Sequence, residues 1–224
     1  MTDNGSPVLD LDGLDIAAGG VEVVSDVGFS VGRGEIRAVV GESGSGKTMV
    51  ARAVLGLLPP GVALTAGTIR FRGEAIEGAS PKRLRAIRGG EIGMVFQEPM
   101  VSLNPAHRIG AQMEEGLKIH RRGLSAKVRG ALIGEMLRRV GIDDVARCLA
   151  AHPHEFSGGM RQRMMLASVM MLKPKLLIAD EPTTALDSLT QKDVLDLMVG
   201  LARESGTAVL LITHDLGVVS RYAD

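Results

Sequence analysis

A glycine-rich octapeptide carries the clearest chemical pattern in the sequence. GESGSGKT, residues 41–48, fits G-x-x-x-x-G-K-S/T, follows the apolar run RAVV and opens the helical pattern KTMVARAVLGL. In such a loop the backbone N–H groups point around a phosphate, and the helix N-terminus adds partial positive charge. Lys47 would reach the outer phosphates and Thr48 would offer its hydroxyl to Mg²⁺. The predicted binding residues are Gly41, Glu42, Ser43, Gly44, Ser45, Gly46, Lys47, Thr48 and Met49.

A pair of carboxylates ends a second apolar run, KLLIADEP at residues 175–182. Asp180 is placed to hold the water shell of a metal, and Glu181 is placed to polarise an attacking water. A strand followed by an acidic turn is common in proteins, so the pair alone does not define a site. Together with the phosphate loop (residues 41–48), it predicts a metal-assisted phosphoryl-transfer site.

Two glycines follow a serine in HPHEFSGGMRQRMM, residues 152–165. Ser157 is a natural N-cap for the methionine-rich helix that follows. Glycine in a helix costs about 0.5–1 kcal/mol relative to alanine, so Gly158 and Gly159 need a reason. They serve either a tight turn or a backbone that another group must approach closely.

Two kinds of strand pattern position these residues. Half-exposed strands of an antiparallel layer are predicted at 8–16, 21–31 and 67–73. Near-continuous apolar runs, typical of a parallel sheet covered on both faces, lie at 35–40, 91–96, 175–180 and 208–213. The stretch GLLPPGVALTAG, residues 56–67, is predicted to be a loop.

Helical periodicity occurs at about 47–57, 125–140, 159–172 and 188–204. Because the segment 99–172 is almost wholly helical in pattern, we expect a helical subdomain inserted into an α/β core. The predicted division is a core of residues 1–98 and 173–224, with its β layer, and a helical subdomain of residues 99–172.

Composition excludes several classes of protein. The 224-residue chain has zero formal net charge, no tryptophan and 2% aromatic residues. It therefore lacks the net positive charge that attracts nucleic acid, and it has few aromatic side chains on which bases could stack. With one cysteine and an N-terminus unlike a signal peptide, we expect a reducing, cytoplasmic setting. No apolar run approaches the roughly 18–20 residues of a membrane span.

Six motifs in order give the chain a resemblance to the ATP-binding-cassette (ABC) ATPases. They are the phosphate loop, the Q-loop glutamine Gln97 in MVFQEP, the signature FSGGM, the Walker B segment LLIADEP, the D-loop ALD (185–187) and the switch histidine His214 in LITHD. Taken singly, Gln97 could be an ordinary polar residue at the end of a strand and His214 could be a core histidine. Asp187 could be no more than the N-cap of the following helix. Their order and spacing favour the functional interpretation.

The resemblance implies a P-loop NTPase fold that binds ATP and Mg²⁺ and hydrolyses ATP. Glu181 would be the catalytic carboxylate and His214 would touch the γ-phosphate. Metal contacts would come from Thr48, Gln97 and Asp180, with Lys47 and Gln97 also serving catalysis. Asp187 would couple two sites across a dimer. The nucleotide held by the opposite subunit would be covered by Ser157, Gly158, Gly159 and Met160.

Three shorter segments resemble the corresponding segments of the ATPase subunits of oligopeptide and dipeptide importers. Nickel importers are close relatives of these systems. The three segments are QEPMVSLNP (97–105), IGAQMEEGLKIH (109–120) and HPHEFSGGMRQR. The implied partners are membrane permease subunits, a second ATPase subunit of the same or a different kind, and indirectly a solute-binding protein. Nucleic acid is not among them. The chain would lie peripherally on the cytoplasmic face of the inner membrane, with residues 99–120 meeting a permease coupling helix.

Two departures from the family pattern stand out. No aromatic residue precedes Phe29, whereas many relatives stack adenine on one at the place that falls near Ala18. We expect base recognition either to be weaker or to be supplied by a partner or by aliphatic residues such as Val21 and Val24, and we expect ATP to be preferred only modestly over GTP. The chain also ends at RYAD, so the C-terminal part of the family domain is expected to be missing. Two alternatives stay open: a soluble ABC ATPase of translation or DNA repair, and a nucleotide sensor without turnover.

Overall fold

The computed structural model describes residues 6–96, 103–184 and 186–224. One sheet is antiparallel, with the order β2-β1-β4-β5. Its strands are β1 (Leu9–Ala18), β2 (Val21–Val31), β4 (Val62–Phe71) and β5 (Glu74–Ala75). Strand β1 is central because it pairs with β2 on one side and β4 on the other. The predicted antiparallel layer is therefore confirmed.

The predicted loop at 56–67 is wrong in its second half, which forms the start of β4. Val62 pairs with Ala18, so β4 runs along the whole of β1. Gly67, which suggests a turn in the sequence, lies inside this strand at φ +85°. A Cβ there would collide with the backbone of Gly13, at an irregularity in the β1–β4 register. A glycine in a strand is a common sign of such a close approach.

The second sheet is parallel, with the order β3-β8-β7-β6, and its strands match the four continuous apolar runs. They are β3 (Ile36–Val40), β6 (Ile92–Val95), β7 (Leu176–Asp180) and β8 (Ala208–Thr213). Because the strands are parallel, their carboxyl ends share one edge. Glu181 and His214 follow directly after β7 and β8 at that edge.

Helices occupy the predicted stretches, with two short additions. The helices of the described residues are α1 (Lys47–Val54), α2 (Pro81–Ile87), α3 (Ile109–His120), α4 (Ala126–Arg139), α5 (Val145–Ala150), α6 (Gly158–Met170), α7 (Ser188–Ser205) and α8 (Leu216–Tyr222). A 3₁₀ turn covers Pro153–Glu155. Helices α2 and α8 have seven residues each, too few to give a periodic pattern. No helix of the described residues is long and apolar enough to cross a membrane.

The parallel sheet is covered on both faces, which explains its continuous apolar runs. Along β7, Leu177 and Ala179 pack in a cluster with residues of α3, α4 and α6. Leu176 and Ile178, which alternate with them along the strand, pack in a second cluster with α1 and the antiparallel sheet. This α/β arrangement is the predicted fold class. It places the residues that follow the parallel strands at one edge of the sheet.

Candidate functional site

The phosphate loop connects β3 to α1 and depends on two glycines with positive φ, Gly44 at +84° and Gly46 at +86°. Gly46 also lies against β2, where an added Cβ would be 2.6 Å from Cγ2 of Val24. Only glycine combines this backbone angle with this close approach. The loop is thus anchored on the antiparallel sheet as well as on the parallel sheet.

The ammonium group of Lys47 folds back over the start of the phosphate loop. Its Nζ donates to the carbonyl oxygens of Gly41 and Glu42, both at 2.7 Å, and lies 3.4 Å from Oγ of Ser45. The side chain is buried despite its charge. Gly46 supplies no side-chain cap to α1, whose first N–H groups have no intrahelical partners. Positive charge and free helix N–H groups together make an anion-binding loop.

Thr48 and Asp180, two of the three predicted metal contacts, meet across the site. Oγ1 of Thr48 donates to Oδ1 of Asp180 at 3.2 Å. Burial raises the pKa of the Asp180 carboxyl, and the negative charge of Glu181 adds to this. The Thr48 hydrogen bond and the charges of Arg52 and Lys47 act in the opposite direction. A hydroxyl beside a carboxylate is a donor set that suits Mg²⁺ bound with phosphate oxygens.

Glu181 is held in an uncommon backbone conformation at the end of β7. Its φ is +44°, in the left-handed region, and its N–H donates to the carbonyl of Ile212 at 2.9 Å. One carboxylate oxygen, Oε1, lies 3.3 Å from Nδ1 of His214. The other, Oε2, accepts from Oγ1 of Thr184 at 3.0 Å. The side chain of Glu181 is only 15% exposed, whereas that of His214 is 55% exposed.

The phosphate loop and Glu181 line a cleft of about 280 Å³. Its lining comprises Ser43, Gly44, Gly46, Lys47, Thr48, Met49 and Glu181 on the phosphate side, with Ala18, Val23 and Val62 from the antiparallel sheet. The cleft therefore has a polar end with anion-binding groups and an aliphatic end near Ala18. A nucleotide, which joins a charged phosphate chain to a flat base, matches both ends.

The family model described as ABC transporter matches residues 24–184, most of the chain. This chain belongs to the ABC transporter family. It is 45% identical over 226 residues to the peptidoglycan transport ATP-binding protein YejF of Agrobacterium fabrum, covering 99% of this chain and 41% of that protein. It is also 45% identical over 207 residues to the dipeptide transport ATP-binding protein DppD of Bacillus subtilis, covering 92% and 62% respectively. The chain thus spans less than two thirds of the length of both relatives.

Solved ABC structures share the fold. The cbiO1 protein of Clostridium perfringens, part of the ABC transporter complex cbiONQ, superposes with a TM-score of 0.83 at 26% identity, covering 98% of this chain and 83% of that one. A dimeric ATP-binding cassette in a post-hydrolysis state, bound to ADP and Pi, gives 0.82 at 27% identity, covering 96% and 91%. These matches confirm the predicted ABC ATPase fold.

The ABC signature residues lie away from the cleft formed by this chain's own phosphate loop. Residues 157–160 are absent from the described lining of that cleft. Ser157 caps α6 as predicted, accepting from the N–H of Met160 at 3.4 Å. The Met160 side chain is exposed at the start of the helix. The structure thus separates the signature from the cleft that the phosphate loop and Glu181 line.

The two signature glycines pack against Leu186 and against the first turn of α7 within the same chain. A Cβ on Gly159 would lie 2.5 Å from Cγ2 of Thr190, and one on Gly158 would lie 3.3 Å from Cδ2 of Leu186. Gly159 is therefore required by a close approach inside the chain. Asp187 caps α7, accepting from the N–H of Thr190 at 3.1 Å, and this bond lowers its pKa.

Gln97 lies outside the described residues, as does Ala185 of the D-loop ALD.

The prediction that Val24 contacts the base is wrong, because Val24 is buried in the core. Val21 is exposed and is not among the residues that line the cleft. Val23 and Val62 line it instead.

Sequence reasoning also missed two residues that contact the turn after β7. Thr184 donates to Glu181, and Gln162 of α6 donates its Nε2 to the carbonyl of Pro182. Gln162 is 1% exposed. A glutamine among methionines on a buried helix face is the signal that would have pointed to it, because buried polar groups need partners.

Proposed function

We propose that this chain binds ATP with Mg²⁺ in the cleft between the phosphate loop and Glu181, and that it hydrolyses ATP as a subunit of an ABC importer. The observation that carries the proposal is the cleft itself. It joins an anion-binding loop to a fixed carboxylate at the end of β7. Phosphoryl transfer to water needs these two elements at one place.

Each residue has a chemical role in this proposal. The N–H groups of the phosphate loop and the Lys47 ammonium stabilise charge that develops on the transferred phosphoryl group. Thr48 and Asp180 would hold Mg²⁺, which neutralises charge on the β- and γ-phosphates when bound. Glu181 orients the attacking water at the phosphate end of the cleft, with His214 beside it at 3.3 Å. Gln97 is proposed to contact the metal or this water.

A complete site is proposed to need two ATPase subunits. In this chain the signature lies away from the cleft, so its N–H groups at Gly158 and Gly159 are available to a nucleotide held by another subunit. The similar cassette bound to ADP and Pi was solved as a dimer. We propose that Ser157, Gly158, Gly159 and Met160 cover the partner's ATP and that Asp187 faces the partner. The second subunit is either identical or a related ATPase.

The solute is proposed to be a peptide or a related small molecule, because the similar proteins are named for peptidoglycan, dipeptide and peptide transport. Permease subunits would bind at residues 99–120, and a solute-binding protein would act through them. Helix α3 turns Ile109, Met113 and Leu117 into the core and leaves its other face towards solvent. This exposed face suits a partner on the cytoplasmic face of the inner membrane.

An ATPase assay tests the proposal. The protein should release phosphate from ATP in the presence of Mg²⁺, and permease subunits in vesicles should increase the rate. Lys47→Ala should abolish the activity because the phosphates lose their buried cation. Turnover that permease subunits leave unchanged would favour a soluble ABC ATPase. ATP binding without any turnover, with or without permease, would favour a nucleotide sensor.

A further inference from the structure

The buried amide of Gln162 links α6 to the turn that follows Glu181. Gln162 is 1% exposed, and its Nε2 donates to the carbonyl oxygen of Pro182. The orientation of the amide follows from its partner, because a carbonyl oxygen only accepts and must face the NH₂ group. Pro182 is the residue directly after the proposed catalytic carboxylate.

Among the residues that the structure describes, Oε1 of Gln162 has no hydrogen-bond partner. A buried acceptor without a partner costs free energy. The neighbouring side chains of α6, Met164, Met165 and Leu166, are buried and apolar. A methionine at 162 would avoid the cost, so what distinguishes the glutamine is the hydrogen bond that it donates to Pro182.

The turn that receives this bond is strained. Glu181 has φ +44°, a conformation that a non-glycine residue keeps only when its surroundings hold it there. Two of the restraints come from the sheet and from the turn itself: the bond from Glu181 N–H to the carbonyl of Ile212, and the bond at 3.4 Å from Thr184 N–H to the Glu181 carbonyl. Gln162 supplies a third restraint from a helix outside the sheet.

The first turns of α6 contact the far end of the same segment as well. Gly158 lies close to Leu186, and Gly159 lies close to Thr190. Helix α6 therefore touches the segment after β7 at Pro182, Leu186 and Thr190. A displacement of this helix relative to the sheet would move the turn that carries Glu181.

We propose that Gln162 is a positioning residue for ATP hydrolysis, which aims the Glu181 carboxylate by fixing Pro182 to the signature helix α6. The inference rests on the proposed function, because it presumes that Glu181 orients the attacking water. It predicts an effect on turnover rather than on ATP affinity, since Gln162 is not among the residues that line the cleft.

The test is Gln162→Met, which fills a similar volume without a donor. We expect kcat for ATP to fall by about 10- to 100-fold, as for small misplacements of a reacting group. We expect KM and the affinity for ATP to stay within about threefold of wild type. Should Gln162→Met fail to fold, Gln162→Asn replaces it, because its shorter side chain withdraws the same amide from the Pro182 carbonyl.

Thr207→Val is the matched control. Thr207 is 1% exposed and donates to the carbonyl of another proline, Pro174, at 2.9 Å. This bond lies before β7 and β8, at the end of the sheet opposite Glu181. Both substitutions should lower the melting temperature, but Thr207→Val should keep the wild-type kcat.

Three outcomes would overturn the inference while leaving the proposed function intact. They are a wild-type kcat in the Gln162 variant, an equal loss of kcat in Thr207→Val, or a loss confined to ATP affinity. Absence of ATP hydrolysis by the wild-type protein with its permease subunits would instead contradict the proposed function.

Discussion

Oε1 of Glu181 and Nδ1 of His214 lie 3.3 Å apart, although the two residues follow different strands. They meet because β7 and β8 are adjacent and parallel, with Asp180 in register with Ile212. Thr184 holds the second carboxylate oxygen at 3.0 Å. The carboxylate is thus oriented from both sides, as a group that positions a water requires.

Glu181→Gln should bind ATP with nearly wild-type affinity but lower kcat by about 10²- to 10³-fold, because the amide no longer attracts the proton of the attacking water. ATP binding by calorimetry and phosphate release check the two effects, and ATP-dependent dimers should accumulate. Glu204→Gln is a matched control on an exposed ion pair with Arg139. Wild-type turnover in a Glu181→Gln protein that still assembles would refute the role of Glu181.

Gly158→Asp should spare ATP binding by the isolated chain and abolish hydrolysis. The added carboxylate would lie at the N-terminus of α6 and repel the γ-phosphate of ATP held by the partner subunit. A Cβ at this position meets Leu186 at 3.3 Å, a contact that a small shift relieves. Gly158→Ala separates charge from size and should keep more activity. Normal turnover in the aspartate variant would show that the signature does not meet nucleotide.

Gly159→Ala should destabilise the protein by about 1–3 kcal/mol, the usual cost of overpacking. The new Cβ would lie 2.5 Å from Cγ2 of Thr190. Thr190→Ser removes that methyl group and should restore most of the lost stability in the double variant. Urea unfolding of the four proteins in this cycle measures the coupling. Additive effects would mean that the Gly159–Thr190 contact does not explain the glycine.

Wild-type protein should prefer ATP over GTP only modestly in a competition assay, because the aliphatic end of the cleft contains no aromatic side chain among its described lining residues. Ala18→Tyr should tighten binding of both nucleotides by about 5- to 10-fold through stacking on the base. Ala17→Tyr is the control, since Ala17 is the preceding strand residue and is not among those lining the cleft. A strong wild-type preference for ATP would reveal a base contact elsewhere.

Asp187 should contribute stability that depends on pH. The hydrogen bond from the N–H of Thr190 lowers its pKa below the ordinary value of 3.8. A carboxyl with a lowered folded-state pKa stabilises the fold above its unfolded-state pKa, and the contribution disappears as pH falls through the folded-state value. Asp187→Ala should therefore be less stable than wild type at neutral pH, and the difference should shrink in acid. A difference in unfolding free energy that is independent of pH would contradict this.

Much of the site follows from the sequence because its elements are local. A phosphate loop is defined by glycines, a lysine and a threonine within eight residues. The apolar runs before Asp180 and His214 predict buried parallel strands, whose carboxyl ends must share an edge. The caps at Ser157 and Asp187 are equally local, since each depends on residues within one helical turn.

Other features depend on contacts between distant segments, which the sequence does not specify. The face of β2 that borders the cleft is set by irregular pairing with β1, so Val23 and not Val24 lines it. Likewise, β4 begins at Val62 because β1 is long enough to pair with it.

The sequence by itself determined the fold class, the phosphate loop and the candidate carboxylates, because hydrophobic period and turn chemistry act over a few residues. Only the tertiary structure decided what each residue touches. It showed that Gly159 makes room for Thr190, that His214 stands beside Glu181, and that Gln162 holds Pro182. These contacts arise from the packing of α6, α7 and two strands against one another, a long-range arrangement that no local pattern encodes.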